Sequence, residues 1–254
     1  MRKFAIAILA GLALSSAAPG LAKGKDADVA AAVASPDRPD GARMMDEGRK
    51  PAQVLAFLGL KLGASAADLI SGTGYWAEIM AKAVGPKGHV VAYEPEQFYN
   101  DPKSMAAWDE LLAREPNVSV TRYPFEAFTA PAGSLDFAII NLSYHDLYWE
   151  SEKFKIPRTD PAAYVKALYA AMKPGGVVGV IDHVGMPGDT RETVDKLHRI
   201  DPEVVKADWI AAGFKLEGSS DMLANPEDDH SKLVFDPAIR GKTDRFLFKF
   251  RKPK

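Results

Sequence analysis

The stretch ADLISGTGYWAEIMAKAVGPKGHVVAYEP, ending at Pro95, constrains the fold more than any other part of this chain. An apolar run meets a glycine turn, an amphipathic segment, a Gly-Pro stop and a second apolar run that ends in an acid. That order predicts strand, helix and strand, the first half of a crevice built to take a nucleotide-like ligand. Gly72 and Gly74 permit positive φ and let backbone approach a ligand where a Cβ would obstruct it. Glu94 falls about 20 residues after the glycines, where an acid accepts hydrogen bonds from ribose hydroxyls.

The same punctuation continues along the chain. A helix opened by Pro51 is expected to cover the edge of the crevice, and strands are predicted over 67–70 and 89–93, with a helix over 75–84 between them. A helix over 104–114, a strand over 118–122 and the most apolar strand, 135–141, follow. Next come a helix over 161–172, the stop Lys173-Pro174-Gly175-Gly176, a strand over 177–181, a loop, a helix over 202–212 and a strand from Gly213. The alternation in Arg245-Phe-Leu-Phe-Lys-Phe-Arg251 marks an antiparallel last strand. Strands alternating with helices predict one α/β domain with a mostly parallel sheet.

The N-terminus differs in kind. Arg2 and Lys3 precede an apolar run from Phe4 to Leu14 and then small residues, the pattern of a secretory signal peptide. The run is too short to span a bilayer comfortably. The expected division is a signal peptide over 1–22 cut after Ala22, a flexible leader over 23–42, and a single domain over 43–254. Export to the periplasm, without stable membrane insertion after cleavage, follows from that reading. The chain has no cysteine, which excludes disulfides, a thiolate nucleophile and Cys-based metal sites. A formal net charge of −2 gives no basis for a nucleic-acid partner.

Asp68-Leu-Ile-Ser-Gly72-Thr-Gly74, Glu94, Leu135–Asn141, Met172-Lys-Pro-Gly-Gly176 and Ala212-Gly213-Phe214 together resemble the class I S-adenosylmethionine-dependent methyltransferases, with their landmarks in order from about Arg49 to Lys252. The segments 197–201, 225–230 and 235–245 are similar to a subgroup of bacterial members bearing signal peptides. The resemblance implies a Rossmann-like fold, a seven-stranded, mostly parallel sheet with helices on both faces and an antiparallel last strand. It implies S-adenosylmethionine as cofactor and a small-molecule acceptor.

Site residues carry over by position. Asp68, Gly72, Gly74 and Glu94 are expected to hold the cofactor, with Phe125 and Glu126 beside adenine and Asn141 at the methyl end. His145, with Asp146 or Asn141, is expected to orient or deprotonate the acceptor. Tyr148 and Trp149 are candidates for an acceptor wall; Trp76, Trp108 and Trp209 are expected to be packing residues. His183, His198 and His230 lie near carboxylates, but no standard ligand spacing is present and no metal is assigned.

One position departs from the family pattern: Ile70 stands where its first loop glycine would be. Either Ile70 extends the strand and leaves the contact to Gly72 and Gly74, or it marks a degenerate site in an exported, non-enzymatic ligand-binding protein. A NAD-dependent oxidoreductase is a third reading, disfavoured by the Lys-Pro-Gly-Gly and Ala-Gly-Phe turns.

Overall fold

A computed structural model describes residues 24–254; the expected signal peptide lies outside the described residues. The helices are α1 (Val29–Val33), α2 (Asp40–Arg43), α3 (Asp46–Arg49), α4 (Pro51–Leu58), α5 (Tyr75–Val84), α6 (Pro102–Arg114), α7 (Pro161–Ala171), α8 (Thr190–Leu197) and α9 (Pro202–Ala211). The strands are β1 (Ser65–Leu69), β2 (His89–Pro95), β3 (Val118–Tyr123), β4 (Leu135–Asn141), β5 (Met172–His183), β6 (Lys215–Ser220) and β7 (Arg245–Arg251).

All seven strands form one sheet in the order β3-β2-β1-β4-β5-β7-β6. Pairings from β3 to β5 are parallel, and β7 runs antiparallel to both β5 and β6. Apolar residues fill both faces, which is why the central strands are apolar runs and not alternating ones. One layer gathers Leu55, Leu58, Ile79, Met80 and Trp108; the other gathers Leu69, Tyr123, Phe128, Trp209 and Phe250. The sheet order places the carboxyl ends of β1, β4 and β5 side by side, at the switch point where open α/β sheets bind ligands.

Helix α5 spans the predicted residues because Gly74 (φ 80) and Gly85 (φ 70) bound it with conformations that the helix cannot continue. Three expectations are corrected. Residues 28–42 are not a flexible leader: Asp28 caps α1, Val29 and Ala32 join the core, and Arg38 is buried in an ion pair with Asp46. Helix α4 covers β5 and not the crevice edge, with Leu58 occupying the space a side chain at Gly179 would need. The expected loop after β5 contains α8, capped by Asp189 through the Glu192 N–H at 3.0 Å. Among the described residues, no helix is long and apolar enough to cross a membrane.

Candidate functional site

Strand β1 ends at Leu69, so Ile70 does not extend it. Ile70 adopts φ 50, the conformation for which the family pattern has glycine, with its side chain buried in the aromatic layer. A left-handed β-branched residue costs about 1–2 kcal/mol, and burial of its side chain offsets that cost. Gly72 (φ 63) and Gly74 (φ 80) complete the bend into α5. Asp68 is buried, and its Oδ2 accepts the Ala77 N–H at 2.9 Å, tying β1 to the first turn of α5. Burial pushes its carboxyl well above the usual range.

The two glycines serve different ends. A Cβ on Gly74 would lie 2.6 Å from Leu111 Cδ1 and 2.9 Å from Trp108, so this glycine allows α6 to close on the loop. A Cβ on Gly72 would meet the Tyr99 ring at 3.4 Å.

Glu94 is fully buried at the end of β2. Its Oε2 accepts the Gly72 N–H at 2.7 Å and the Ser71 hydroxyl at 2.9 Å. Its Oε1 is buried without a partner among the described residues, and the charge of Glu94 acts on the buried hydroxyls of Tyr123 and Tyr164. Desolvation raises Glu94 to about 7 against those two hydrogen bonds.

Two residues that the sequence reading did not single out complete this side. Arg49 sits with its guanidinium 4.3 Å from the centroid of the Tyr75 ring and has no acidic partner within ion-pair distance among the described residues. Its charge acts on Asp68 and Tyr99, and its own pKa is lowered by burial. Arg245 is buried at the start of β7, and its side chain bonds only the Thr243 carbonyl among the described residues; desolvation and then the charge of Arg49 lower its pKa. Arg49 is the first of a basic pair, Arg49-Lys50, that precedes the Pro51 helix.

Phe125 is corrected. The turn after β3 buries its ring against Phe98, with centroids 5.1 Å apart, so it offers no open stacking face; neighbouring Glu126 is exposed.

Across the crevice, Asn141 ends β4, and its side-chain amide makes no hydrogen bond among the described residues. A short 3-10 turn, His145–Tyr148, follows. Asp182, at the end of β5, accepts the His145 N–H at 2.9 Å and binds His145 Nδ1 at 2.8 Å. His145 Nε2 faces Asp146 Oδ1 at 3.4 Å, and His198 Nδ1 lies 3.9 Å from the same oxygen. Burial alone would lower the His145 pKa, but the charges of Asp182 and Asp146 raise it to about 9.

The remaining histidines separate. His183, on Thr243 Oγ1 at 2.7 Å, is driven down to about 3 by burial; His230 binds Asp244 at 2.9 Å. The three tail segments converge through the buried Arg199–Asp228 pair at 2.9 Å and the Asp244 N–H donated to Asp228. They form the wall that carries His198, whose ring lies 5.0 Å from Trp149 and 5.1 Å from Phe235. Trp76, Trp108 and Trp209 are buried packing residues as expected.

Residues 45–104, less than half of the chain, match the family model of protein-L-isoaspartate(D-aspartate) O-methyltransferase. No curated protein matches the chain. A S-adenosylmethionine-dependent methyltransferase of Aquifex aeolicus aligns over 86% of this chain and 96% of its own, with TM-score 0.56 and 19% identity. The [4+2]-cyclase SpnF aligns over 84% and 80%, with TM-score 0.54 and 16% identity. Phosphoethanolamine N-methyltransferase 2 of Haemonchus contortus, in complex with S-adenosyl-L-methionine, aligns over 81% and 53%, with TM-score 0.56 and 14% identity. The chain thus has the Rossmann-like fold found in S-adenosylmethionine-dependent methyltransferases, with its antiparallel seventh strand in place.

Proposed function

We propose that this protein is a S-adenosylmethionine-dependent methyltransferase acting on a small-molecule acceptor. The observation that carries the reading is Glu94: one oxygen holds the glycine bend, and the other is buried without a partner beside it. A vicinal diol donates to such an oxygen, and the desolvated carboxylate gains the hydrogen bonds it lacks. The strand order argues against a dinucleotide dehydrogenase, because antiparallel β7 sits between β5 and β6 where that fold continues in parallel.

The cofactor supplies a methyl group already activated on a sulfonium. The chain's own residues position and exclude water. Glu94 receives the ribose hydroxyls, Gly72 leaves room for the sugar, and Arg49 offers its unpaired charge to the amino-acid carboxylate. Asn141, His145 and Asp146 form the acceptor side, and Trp149 and Phe235 give it an apolar rim. Positive residues, a short apolar run and small residues at 2–22 support export of the protein, with the periplasm as its site of action.

Thermal shift of the purified protein tests the assignment. S-adenosylmethionine and S-adenosylhomocysteine at 100 times Kd stabilise by about 2.7 kcal/mol, a rise of roughly 5–10 °C in Tm at this size, while NAD gives none. Absence of a shift with either sulfur ligand overturns the reading. A second reading, ligand binding without methyl transfer, draws on the fold's occurrence in a [4+2]-cyclase. It is separated by transfer of a labelled methyl group into the small-molecule fraction of a cell extract.

A further inference from the structure

Three side chains at the carboxyl edge of the sheet present donor atoms to one point and use them for nothing else. His145 Nε2, His198 Nδ1 and a carboxylate oxygen of Asp146 all lie within 4.8 Å of one another. The Asp146 carboxylate accepts no hydrogen bond among the described residues, and its separations from the two imidazoles, 3.4 and 3.9 Å, exceed those of good N–H···O bonds. Ligands about 2.0–2.1 Å from a tetrahedral ion stand about 3.3 Å apart. The His145–Asp146 separation of 3.4 Å is already close to that edge, and the His198–Asp146 separation of 3.9 Å contracts to reach it.

We propose that His145, Asp146 and His198 bind a divalent first-row transition-metal ion of the zinc, cobalt or nickel type. Two imidazoles and one carboxylate suit those ions better than magnesium or calcium, which take all-oxygen sets. Asp182 plays the part that a carboxylate has behind a metal-bound histidine: it holds Nδ1 at 2.8 Å and directs Nε2 to the ion. His198 is held in place from three directions. It sits at φ 50 as the left-handed cap of α8, its ring is flanked by Trp149 and Phe235, and the next residue, Arg199, is buried on Asp228. Backbone strain kept in place by surrounding structure is a mark of functional positions.

The cluster is also reachable. The His145 side chain is 4% exposed, whereas Asp146 and His198 are 16% and 13% exposed, so the point they share opens on one side. Three protein ligands leave at least one coordination position free. On the methyltransferase reading that position faces the acceptor, where it would take an acceptor oxygen; ion binding itself does not depend on that reading.

The test uses untagged, chelator-stripped protein with no cofactor present, titrated with Co²⁺ by visible absorption and with Zn²⁺ by calorimetry. One ion per chain is expected, with the visible bands of cobalt in a nitrogen–oxygen site. Asp182→Asn should weaken binding about 10–100-fold. His198→Ala and Asp146→Ala should weaken it further, and His230→Ala, outside the cluster, should leave it unchanged. Circular dichroism of each variant separates loss of a ligand from loss of fold, and S-adenosylhomocysteine affinity measured on the same samples keeps the cofactor question apart. The proposal fails if no stoichiometric uptake occurs, or if folded His198→Ala and Asp146→Ala both bind as the parent does.

Discussion

Glu94 grips Gly72 through one carboxylate oxygen at 2.7 Å and keeps the other buried and unpaired. On the proposed function ribose hydroxyls donate to the ionised form of Glu94, and burial has raised the group to about 7. Affinity for S-adenosylhomocysteine should therefore rise from pH 6 to pH 8, about tenfold for each unit below 7. Glu94→Gln should abolish that dependence and weaken binding at pH 8; calorimetry across the pH range checks both.

The same group governs stability. Its folded pKa, about 7, lies above its ordinary 4.5, so the folded chain holds the proton more tightly. Stability is highest below about 4.5 from this group, falls as pH rises to about 7, and is level above, a span on the order of 3 kcal/mol. Glu94→Gln should remove this fall and be more stable than the parent at pH 8. Urea unfolding at pH 5 and pH 8 measures it.

Among the described residues Arg49 has no acidic partner within ion-pair distance, and its charge acts on a second guanidinium nearby, that of Arg245. Arg49→Gln should leave Tm within a degree or two and weaken S-adenosylhomocysteine binding roughly 10–100-fold, the worth of a hydrogen bond to a charged group. Adenosine, which lacks the carboxylate, should bind parent and variant alike in competition titrations.

The two loop glycines should respond differently to alanine. At Gly74 the added methyl meets Leu111 and Trp108 below 3.0 Å as well as the strain of φ 80; at Gly72 it meets only the Tyr99 edge at 3.4 Å. Gly74→Ala should cost about 3 kcal/mol or more and Gly72→Ala about 1–2. Denaturation midpoints rank them.

Removing Arg199 leaves Asp228 buried with an uncompensated charge. Arg199→Leu should destabilise the chain by about 3–5 kcal/mol and, by loosening the wall beneath His198, lower metal uptake. Urea unfolding and the cobalt titration read the two effects.

The parts legible in the sequence are those set by neighbours along the chain. Gly74 and Gly85 delimit α5, and the Gly72–Glu94 interval places both partners of the hydrogen bond that closes the loop. Helix α8 was not legible because Val194 is its single buried residue within a charged run. The leader was illegible for a similar reason: Val29 and Ala32 are the buried residues of α1, too few to make a sequence pattern. The meeting of His145 with His198, and of Arg49 with Arg245, depends on sheet order and has no signature in local spacing. The Phe125 ring packs on Phe98, a partner from the loop after β2, and that contact has no signature in local spacing.

Arg38 clasps Asp46 through both guanidinium nitrogens at 2.8 Å, and Asp46 accepts the hydroxyl of Tyr75 at 2.6 Å, beneath the Arg49 cation. A truncation that removed Arg38 would release this clasp and let the aromatic floor under the cation swing free. A shortened chain should therefore begin upstream of the Asp28 cap, since a later start would keep the sheet and lose the support beneath Arg49.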